Sequence, residues 1–378
     1  MEKTENKLAV YTICKNELKF VAKWLNSMKE ADYMVVLDTG STDGTYEELL
    51  RRKQDYPNLI VRRKVIDPWR FDVARNENLK DIPEDANILF EVDMDEIVRP
   101  GFAQAIKSKW IEGTHERGEY LYAWSHTSEG KPARVFWYNK IHSRNWEWKA
   151  PVHEYLVRKG TSNADYTREV AIIFSENEVY KEHFPDYTKS RSSYSKLLEQ
   201  RVNEDPNDIS GLIYYIHDCS YSKNYSLAIT KIEDLMSKRI NSLDSNMISN
   251  LLTHKARCLQ ECGRREEADK CYREAIEKAP YYRTAYFEYA RFLIDGGYHN
   301  VALDILEQAK EKTVRQYSWI EDDTCWTYGY YDLKCLALYW SGRKEESLKY
   351  AVKAWLEDKG NERLKENITA VLNNLDIS

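Results

Sequence analysis

The chain has 378 residues, which is longer than one ordinary hydrophobic core, and this length predicts two domains. Its 42% hydrophobic and 31% charged residues are typical of a soluble globular protein. The formal net charge of −6 excludes the basic footprint of nucleic-acid-binding proteins, so we expect no nucleic-acid partner.

No apolar segment follows a basic start, and no run of about twenty apolar residues occurs along the chain. We therefore predict a cytoplasmic protein with no transmembrane segment. The seven cysteines are an odd number in scattered positions, a pattern that indicates reduced thiols rather than a disulfide framework.

Strands and helices alternate through the first hundred residues. Short apolar runs rich in β-forming residues predict strands at 8–14, 33–37, 59–65 and 88–90. Apolar residues at helical spacing predict helices at 17–29, 46–53 and 71–79. This alternation with short loops is typical of a parallel, doubly wound α/β sheet.

An acidic cluster, EVDMDE at residues 91–96, follows the last of these strands. An isolated D-x-D is more often a solvated acidic turn. At the end of a buried strand, however, several carboxylates are costly without a cation, and a divalent metal held by Asp93 and Asp95 would neutralise them.

Polar residues end each of the other strands, and this favours the metal interpretation. Ligands of open α/β sheets bind beyond the carboxyl ends of the strands. The same edge therefore collects Asn16, Asp38 and Asp43 together with Asp93 and Asp95. For Asp43 we favour the alternative role of capping the next helix.

The second half, from about residue 187, is helical and contains a repeat. Small, aromatic and proline residues follow the spacing of a tetratricopeptide unit and partly recur 34 residues later: Ala256, Ala268, Tyr272, Ala275 and Pro280, then Ala290, Ala302, Leu306 and Ala309. A further copy occurs at 342–354, a weaker one surrounds Ala228, and the longer spacing before the last copy predicts an insertion within 313–330. We predict domains at 1–185 and 186–378.

Five motifs in order carry a resemblance to a known family: TICKNE (12–17), VVLDTGSTDGT (35–45), FDVARN (71–76), FEVDMDE (90–96) and APVHEYL (150–156). The chain resembles family 2 glycosyltransferases of the GT-A type, a Rossmann-like α/β fold that binds nucleotide-sugars. More narrowly, it is similar to the bacterial branch fused to an all-α tetratricopeptide-repeat domain. That branch includes lipopolysaccharide-core glucosyltransferase-like enzymes and peptide S-glycosyltransferases.

The resemblance implies a metal-dependent, inverting hexosyltransferase that uses a UDP-sugar, with glucose favoured, and Mn²⁺ or Mg²⁺. The acceptor would be a surface glycan, a peptide or a protein, held partly by the repeats, and the repeats would also allow a homodimer.

The same motifs suggest roles for individual residues. Asp38, at a strand end, can accept the imide N–H of uracil. The resemblance adds further donor-binding residues: Thr12, Asn16, Glu17, Gly40, Arg75, Asp93, Met94 and His153. Asp95 is the favoured direct metal ligand, and His183 resembles a further ligand of related folds. Asp93 either bonds ribose or sugar hydroxyls or reaches the metal, directly or through water. Arg75 could pair with the diphosphate or with Asp93. Glu154 is the expected catalytic base.

Three alternatives remain open at this point. Trp146 and Trp148 either stack on a sugar ring or belong to the core. The chain could also be a catalytically inactive glycosyltransferase-like protein that acts as a binding scaffold through its repeats. A nucleotidyltransferase is disfavoured, because TICKNE lacks a glycine- and lysine-rich phosphate loop.

Overall fold

A computed structural model of the chain describes residues 5–161, 171–189 and 194–375. It divides into two compact units. The first consists of Met1–Trp124 and Trp137–Asp205, and the second of Ser125–Phe136 and Pro206–Ser378. The domain boundary expected after residue 185 stays a prediction.

The first unit begins with alternating strands and helices. The strands are β1 (Leu8–Cys14), β2 (Tyr33–Asp38), β3 (Leu59–Arg63), β4 (Ile88–Glu91), β5 (Glu96–Val98), β6 (Arg117–His126), β7 (Pro132–His142), β8 (Trp146–Lys149), β9 (Tyr155–Arg158), β10 (Ala171–Ile173) and β11 (Tyr180–His183). The helices are α1 (Leu18–Met28), α2 (Thr45–Arg52), α3 (Phe71–Leu79), α4 (Phe102–Lys109) and α5 (Tyr194–Glu204).

The main sheet is mixed. Its strand order is β3-β2-β1-β4-β7-β6-β11-β5, with β10 beside β6, while β8 and β9 form a separate pair. Strands β1 to β4 pair in parallel, and the order reverses between β1 and β4, as the doubly wound prediction requires. The parallel prediction is confirmed for these four strands, whereas β7 runs antiparallel to β4 and β5 antiparallel to β11. Antiparallel neighbours need no crossover helix, and residues 117–142 return as a long hairpin instead.

Two tryptophans of the small sheet lie in the core. Trp146 and Trp148 are 1% and 2% exposed and pack with residues of β1, β2 and β4. Trp148 Nε1 also donates to the hydroxyl of Tyr11, 2.8 Å away. The core interpretation is therefore confirmed, and the sugar-stacking interpretation was wrong for both residues.

The second unit is helical apart from Ser125–Phe136. Its helices are α6 (Ile209–Tyr221), α7 (Tyr225–Arg239), α8 (Ser245–Glu261), α9 (Arg265–Lys278), α10 (Arg283–Asp295), α11 (His299–Lys312), α12 (Tyr328–Trp340), α13 (Lys344–Glu357) and α14 (Glu362–Leu372). Across the described part of the chain, no helix combines the length and apolar character needed to cross a membrane.

Consecutive helices pack in pairs, α8 with α9, α10 with α11 and α12 with α13. All four small or aromatic positions of the first full copy that lie within helices are buried, and so are their counterparts 34 residues later: Ala256, Ala268, Tyr272 and Ala275, then Ala290, Ala302, Leu306 and Ala309. Small side chains at these contacts let paired helices approach closely, which is the packing predicted from the repeat.

The turn inside each pair contains a glycine with positive φ. Gly263, Gly297 and Gly342 have φ values of 76°, 81° and 81°. This left-handed conformation ends the first helix, and glycine adopts it without the steric cost of a Cβ atom.

The predicted insertion corresponds to the connection 313–327 between α11 and α12. The carbonyl of Ile320 accepts hydrogen bonds from Tyr282 Oη at 2.6 Å and from Asn250 Nδ2 at 3.2 Å. The backbone N–H of Asp322 donates to Thr284 Oγ1 at 3.0 Å. Side chains of two repeats therefore hold the main chain of the insertion.

Candidate active site

The loops that follow β1 and β2 are joined by side chains. Asn16 has a positive φ of 57°, and its backbone N–H donates to Ser41 Oγ at 2.8 Å. Its side-chain oxygen accepts from the N–H of Thr42 at 2.7 Å. Asp43 accepts from the N–H of Leu18 at 3.1 Å and from that of Thr45 at 3.0 Å, so it caps the first turns of α1 and α2. The expected convergence of these strand ends is present.

Asp38 is fully buried at the end of β2. One of its oxygens accepts from the N–H groups of Gly40 and Ser41, both at 3.1 Å, and from Arg63 Nε at 2.8 Å. Gly40 has a φ of 108°, which a residue with a Cβ rarely adopts. Asp38 thus shapes the loop, and Arg63 is a partner that the sequence reading did not anticipate.

Arg75, on α3, is the centre of the acidic cluster. Its side chain is 4% exposed and contacts three carboxylates. Nη1 lies 2.5 Å from Glu91, Nε lies 2.5 Å from Glu154, and Nη2 lies 2.9 Å and 3.2 Å from the two oxygens of Asp93. All three nitrogens of the guanidinium therefore contact protein carboxylates. The planar guanidinium of arginine suits several such contacts at once.

Burial and three nearby cations determine which acids of this cluster are ionised. Burial raises the pKa of Glu91 above its ordinary value. Burial also opposes ionisation of Asp93, but the charges of Arg75 and Lys181 outweigh it and lower the pKa of Asp93. In Glu154, burial is likewise outweighed by Arg75 and Lys140, so its pKa is lowered. Negative charge is therefore favoured on Asp93 and Glu154.

A second ion pair completes the cluster. Glu96 accepts from Lys181 Nζ at 2.6 Å and from the N–H of Asp93 at 2.8 Å, and Glu96 and Lys181 are both buried. Carboxylate oxygens of Glu91, Asp93 and Glu96 lie within 4.8 Å of one another. The cost of burying these acids, which the sequence suggested a metal would offset, is offset largely by Arg75 and Lys181.

Unlike these acids, Asp95 pairs with the side chain of a histidine. Its side chain is 24% exposed, and its Oδ2 lies 3.2 Å from Nε2 of His183. The other ring nitrogen of His183, Nδ1, lies 3.0 Å from the carbonyl of Trp124. A carbonyl only accepts, so Nδ1 carries a proton. Burial lowers the pKa of His183, but the hydrogen bond to Asp95 and the charge of Asp95 outweigh it and raise the pKa, which favours the charged ring that donates Nε2–H to Asp95. Release of that proton would leave a nitrogen lone pair facing a carboxylate oxygen, and such a pair suits a shared cation.

Glu17 lies in the loop after β1 and pairs with Lys189 through one oxygen. Its other oxygen, Oε2, is buried without a hydrogen-bond partner among the described residues. Burial, opposed by Lys189 and assisted by the charges of Asp95 and Asp93, raises the pKa of Glu17 to about 7. This carboxyl group therefore lies in the electrostatic field of the acidic cluster.

The remaining predicted donor-binding residues occupy different settings. Thr12 and Met94 have buried side chains, and the carbonyl of Thr12 accepts from Asn78 Nδ2 at 2.7 Å. His153 is exposed, has a φ of 48°, and its carbonyl accepts from Arg201 Nη1 at 2.7 Å. A contact of any of them with a ligand stays a prediction.

Sequence reading missed the lysines of the cluster. Lys181 and His183 are two residues apart on β11 and therefore share a face of the sheet. Lys140 lies on β7, is buried, and its Nζ is 3.9 Å from the centre of the Trp148 ring. No local signal identifies either lysine, because Lys140 stands between Asn139 and Ile141 and Lys181 stands next to Glu182.

Part of the geometry above lies within a segment that matches a family model, whereas Lys181, His183 and Lys189 follow that segment. Residues 9–167 match the model described as Glycosyl transferase family 2. This segment is a family 2 glycosyltransferase domain. Its acidic cluster, with the arginine and lysines that neutralise it, follows β4 at the carboxyl edge of the parallel strands.

Part of the chain also resembles solved structures at low TM-scores. One is TTC0263, a thermophilic TPR protein of Thermus thermophilus, with 17% identity and a TM-score of 0.39 over 48% of this chain and 90% of that one. Another is MamA 41-end from Desulfovibrio magneticus RS-1, with 13% identity and a TM-score of 0.33 over 43% of this chain and 88% of that one. None of the curated proteins matches the chain significantly.

Proposed function

We propose that the protein transfers a hexose, with glucose favoured, from a UDP-sugar to an acceptor nucleophile in a metal-dependent, inverting reaction. The observation that carries this proposal is the Asp95–His183 pair beside the neutralised acidic cluster of a family 2 glycosyltransferase domain. A reaction of this class breaks the bond between the sugar C1 and the diphosphate, joins C1 to the acceptor atom, and releases UDP and a proton.

Asp95 and His183 would hold the divalent ion, Mn²⁺ or Mg²⁺. The carboxylate oxygen and the imidazole nitrogen lie 3.2 Å apart and, once the nitrogen has released its proton, form a donor set that Mn²⁺ accepts. The partial exposure of Asp95 leaves room for phosphate oxygens. A bound ion would supply Lewis-acid neutralisation of the leaving diphosphate. Asp93 is a weaker direct ligand than expected, because both of its oxygens already contact Arg75.

The nucleoside would occupy the loops after β1 and β2. Asp38, Asn16 and Gly40 organise this loop pair through the hydrogen bonds described above. In this proposal Asp38 accepts the uracil imide N–H through the oxygen that does not contact Arg63. Glu17 belongs to the loop after β1, and the charges of Asp95 and Asp93 add to burial in raising its pKa. A carboxyl group near both the loop pair and the acidic cluster suits a contact with the ribose or the diphosphate.

Glu154 is our proposed catalytic base. Its lowered pKa keeps it ionised at neutral pH, so it can accept the proton of the acceptor nucleophile. The 2.5 Å contact with Arg75 that stabilises the carboxylate also makes it a weaker base. A weak base suits an acceptor that loses its proton late in the reaction, while its bond to the sugar C1 is forming.

The acceptor is a surface glycan, a peptide or a protein in this proposal, bound partly by the repeats. Helical repeats of this architecture present extended surfaces that suit such partners. We further propose a cytoplasmic location and pairing of two copies through the repeats. Size-exclusion chromatography with light scattering tests the pairing directly.

The experiment that tests the function is a nucleotide-sugar screen. Thermal shift and hydrolysis would be measured for UDP- and GDP-sugars, each with Mn²⁺, Mg²⁺ or EDTA. We expect a UDP-hexose with metal to raise the melting temperature and to be hydrolysed slowly. No response to any nucleotide-sugar with metal would favour the inactive-scaffold alternative.

Substituting the base separates binding from chemistry. Glu154→Gln should remove hydrolysis and transfer while UDP binding persists, because the amide keeps the size of the side chain but cannot take up a proton. Asp85→Asn is the matched control, since Asp85 is an exposed carboxylate that pairs with Lys7 and Tyr33. An active Glu154→Gln variant would refute the base role.

A further inference from the structure

One tryptophan of the glycosyltransferase domain is exposed beside the proposed metal ligands. Trp124 lies near the end of β6 and is 37% exposed. Its ring centre is 6.1 Å from that of His183, with an angle of 42° between the planes. Its carbonyl also accepts the Nδ1 hydrogen bond that orients His183. The carbonyl of Trp124 therefore orients His183, a proposed metal ligand, and the indole of Trp124 lies beside the His183 ring.

The aromatic side chains around Trp124 define one face of the sheet. Tyr122 stacks on Tyr138, with ring centres 4.9 Å apart and planes at 14°. The ring of Tyr122 also lies 6.3 Å from that of His183. Because side chains alternate along a strand, Trp124 shares the face of Tyr122 and His183.

The strand β7 provides a matched tryptophan on the opposite face. Trp137 is 40% exposed, nearly the same as Trp124. It directly precedes Tyr138, whose ring packs on the Tyr122 face, so alternation directs the Trp137 side chain away from His183. The two residues therefore have the same chemistry and similar exposure but different surroundings.

We propose that Trp124 is a stacking platform for the hexose of the donor and thereby contributes to the selection of the sugar. The inference rests on the proposed function. The hexose is bonded directly to the phosphate that a metal at Asp95 and His183 would bind, so its ring lies near this indole. The face of an indole carries negative charge and attracts the C–H bonds of a pyranose ring. With Trp146 and Trp148 buried, Trp124 supplies the exposed aromatic surface next to these ligands.

The test compares affinities for nucleotide and nucleotide-sugar. Isothermal titration calorimetry with Mn²⁺ would measure Kd for UDP and for UDP-glucose, UDP-galactose and UDP-N-acetylglucosamine. For the sugar that the wild type binds best, Trp124→Ala should raise Kd about two- to tenfold relative to its effect on UDP. Trp124→Phe should restore most of this loss, and Trp137→Ala should leave both constants unchanged.

Each outcome has a distinct meaning. Equal weakening of UDP and UDP-sugar by Trp124→Ala, or no weakening of either, would overturn the platform. The same increase in Kd for the UDP-sugar in Trp137→Ala would also overturn the platform. If the wild type binds neither UDP nor any of the UDP-sugars, the proposed function itself fails and the platform with it. Unchanged melting temperatures of the variants exclude a folding defect as the cause.

Discussion

The two units of the molecule differ in how they bury charge. The glycosyltransferase unit buries acids and bases next to one another, including Arg75, Glu91, Glu96, Lys140 and Lys181. The helical unit also buries single carboxylates such as Glu288, but it packs small apolar residues at its helix contacts, such as Ala268 and Ala302. A cluster of buried charges is expensive and is weak evidence for stability, whereas close packing of small side chains is an inexpensive way to stack helices.

This difference indicates where function lies. The neighbouring cations keep Asp93 and Glu154 ionised, and the side chains of Asp93 and Asp95 are 39% and 24% exposed. In the proposed function a divalent ion held beside them would offset the charge of the diphosphate. The alanines of the repeats have no such role, and they serve stacking. The following predictions test this contrast, beginning with the largest effect.

Arg75→Met should destabilise the protein strongly. The substitution leaves Glu91, Asp93 and Glu154 without their shared cation, and a buried charge that loses its partner typically costs about 3–5 kcal/mol. Urea denaturation followed by circular dichroism would measure the loss in free energy of unfolding.

The control for Arg75 comes from the helical unit. Arg264 forms an exposed ion pair with Glu267, three residues along the same chain segment. Surface pairs of this kind contribute little, so Arg264→Met should be close to wild type. If both substitutions destabilise equally, buried charge does not distinguish the two units.

Acid should destabilise both units through buried neutral histidines. Burial lowers the pKa of His142 to about 3 and that of His217 to about 4, and it lowers the pKa of His254 well below its ordinary value. The unfolded chain binds protons below about pH 6.5, so the stability present above that pH is lost as the pH falls. Each histidine contributes up to about 1.4 kcal/mol per pH unit between the two pKa values.

The helical unit should respond more steeply, because His217 and His254 stack with ring centres 3.9 Å apart. Denaturation curves recorded between pH 7.5 and 4.5 would measure both dependences. Replacing His142 with glutamine should flatten the response of the first unit alone. Stability that stays constant down to pH 4.5 would contradict the assignment of buried neutral histidines.

Ala302→Leu should destabilise the repeats by a smaller amount. Ala302 is fully buried at the contact of α11, and extra methylene groups at a closely packed site typically cost about 1–3 kcal/mol. Val301→Leu, at the exposed neighbouring position, is the control and should have little effect. Thermal denaturation of the two variants would compare them, and an equal loss would contradict close packing at residue 302.

The sequence predicted the elements whose pattern is local. The bounds of β1 and α3 agree with the predicted 8–14 and 71–79, because both are regular and strongly patterned. The short strand β5 was not predicted, because three residues are too few to show a periodic pattern. The antiparallel return of β7 depends on a long-range pairing that periodicity does not encode.

The candidate site was predictable in its acids and less so in their partners. The motifs identified Asp38, Asp93, Asp95 and Glu154 and suggested Asp93 as a partner of Arg75, but they did not reveal that Arg75 also contacts Glu91 and Glu154. Lys140 and Lys181 come from strands far along the chain, and their contribution depends on the sheet order. Partner choice inside a charge cluster is therefore a tertiary property.

The central claim is that Asp95 and His183 bind the metal that a nucleotide-sugar reaction uses. Titration of Mn²⁺ with the protein and UDP, followed by the electron paramagnetic resonance signal of free Mn²⁺, tests it most directly. We predict that the wild type and Asp85→Asn remove one equivalent of free Mn²⁺, while Asp95→Asn and His183→Ala bind it at least tenfold more weakly. Unchanged Mn²⁺ binding by Asp95→Asn would contradict the account.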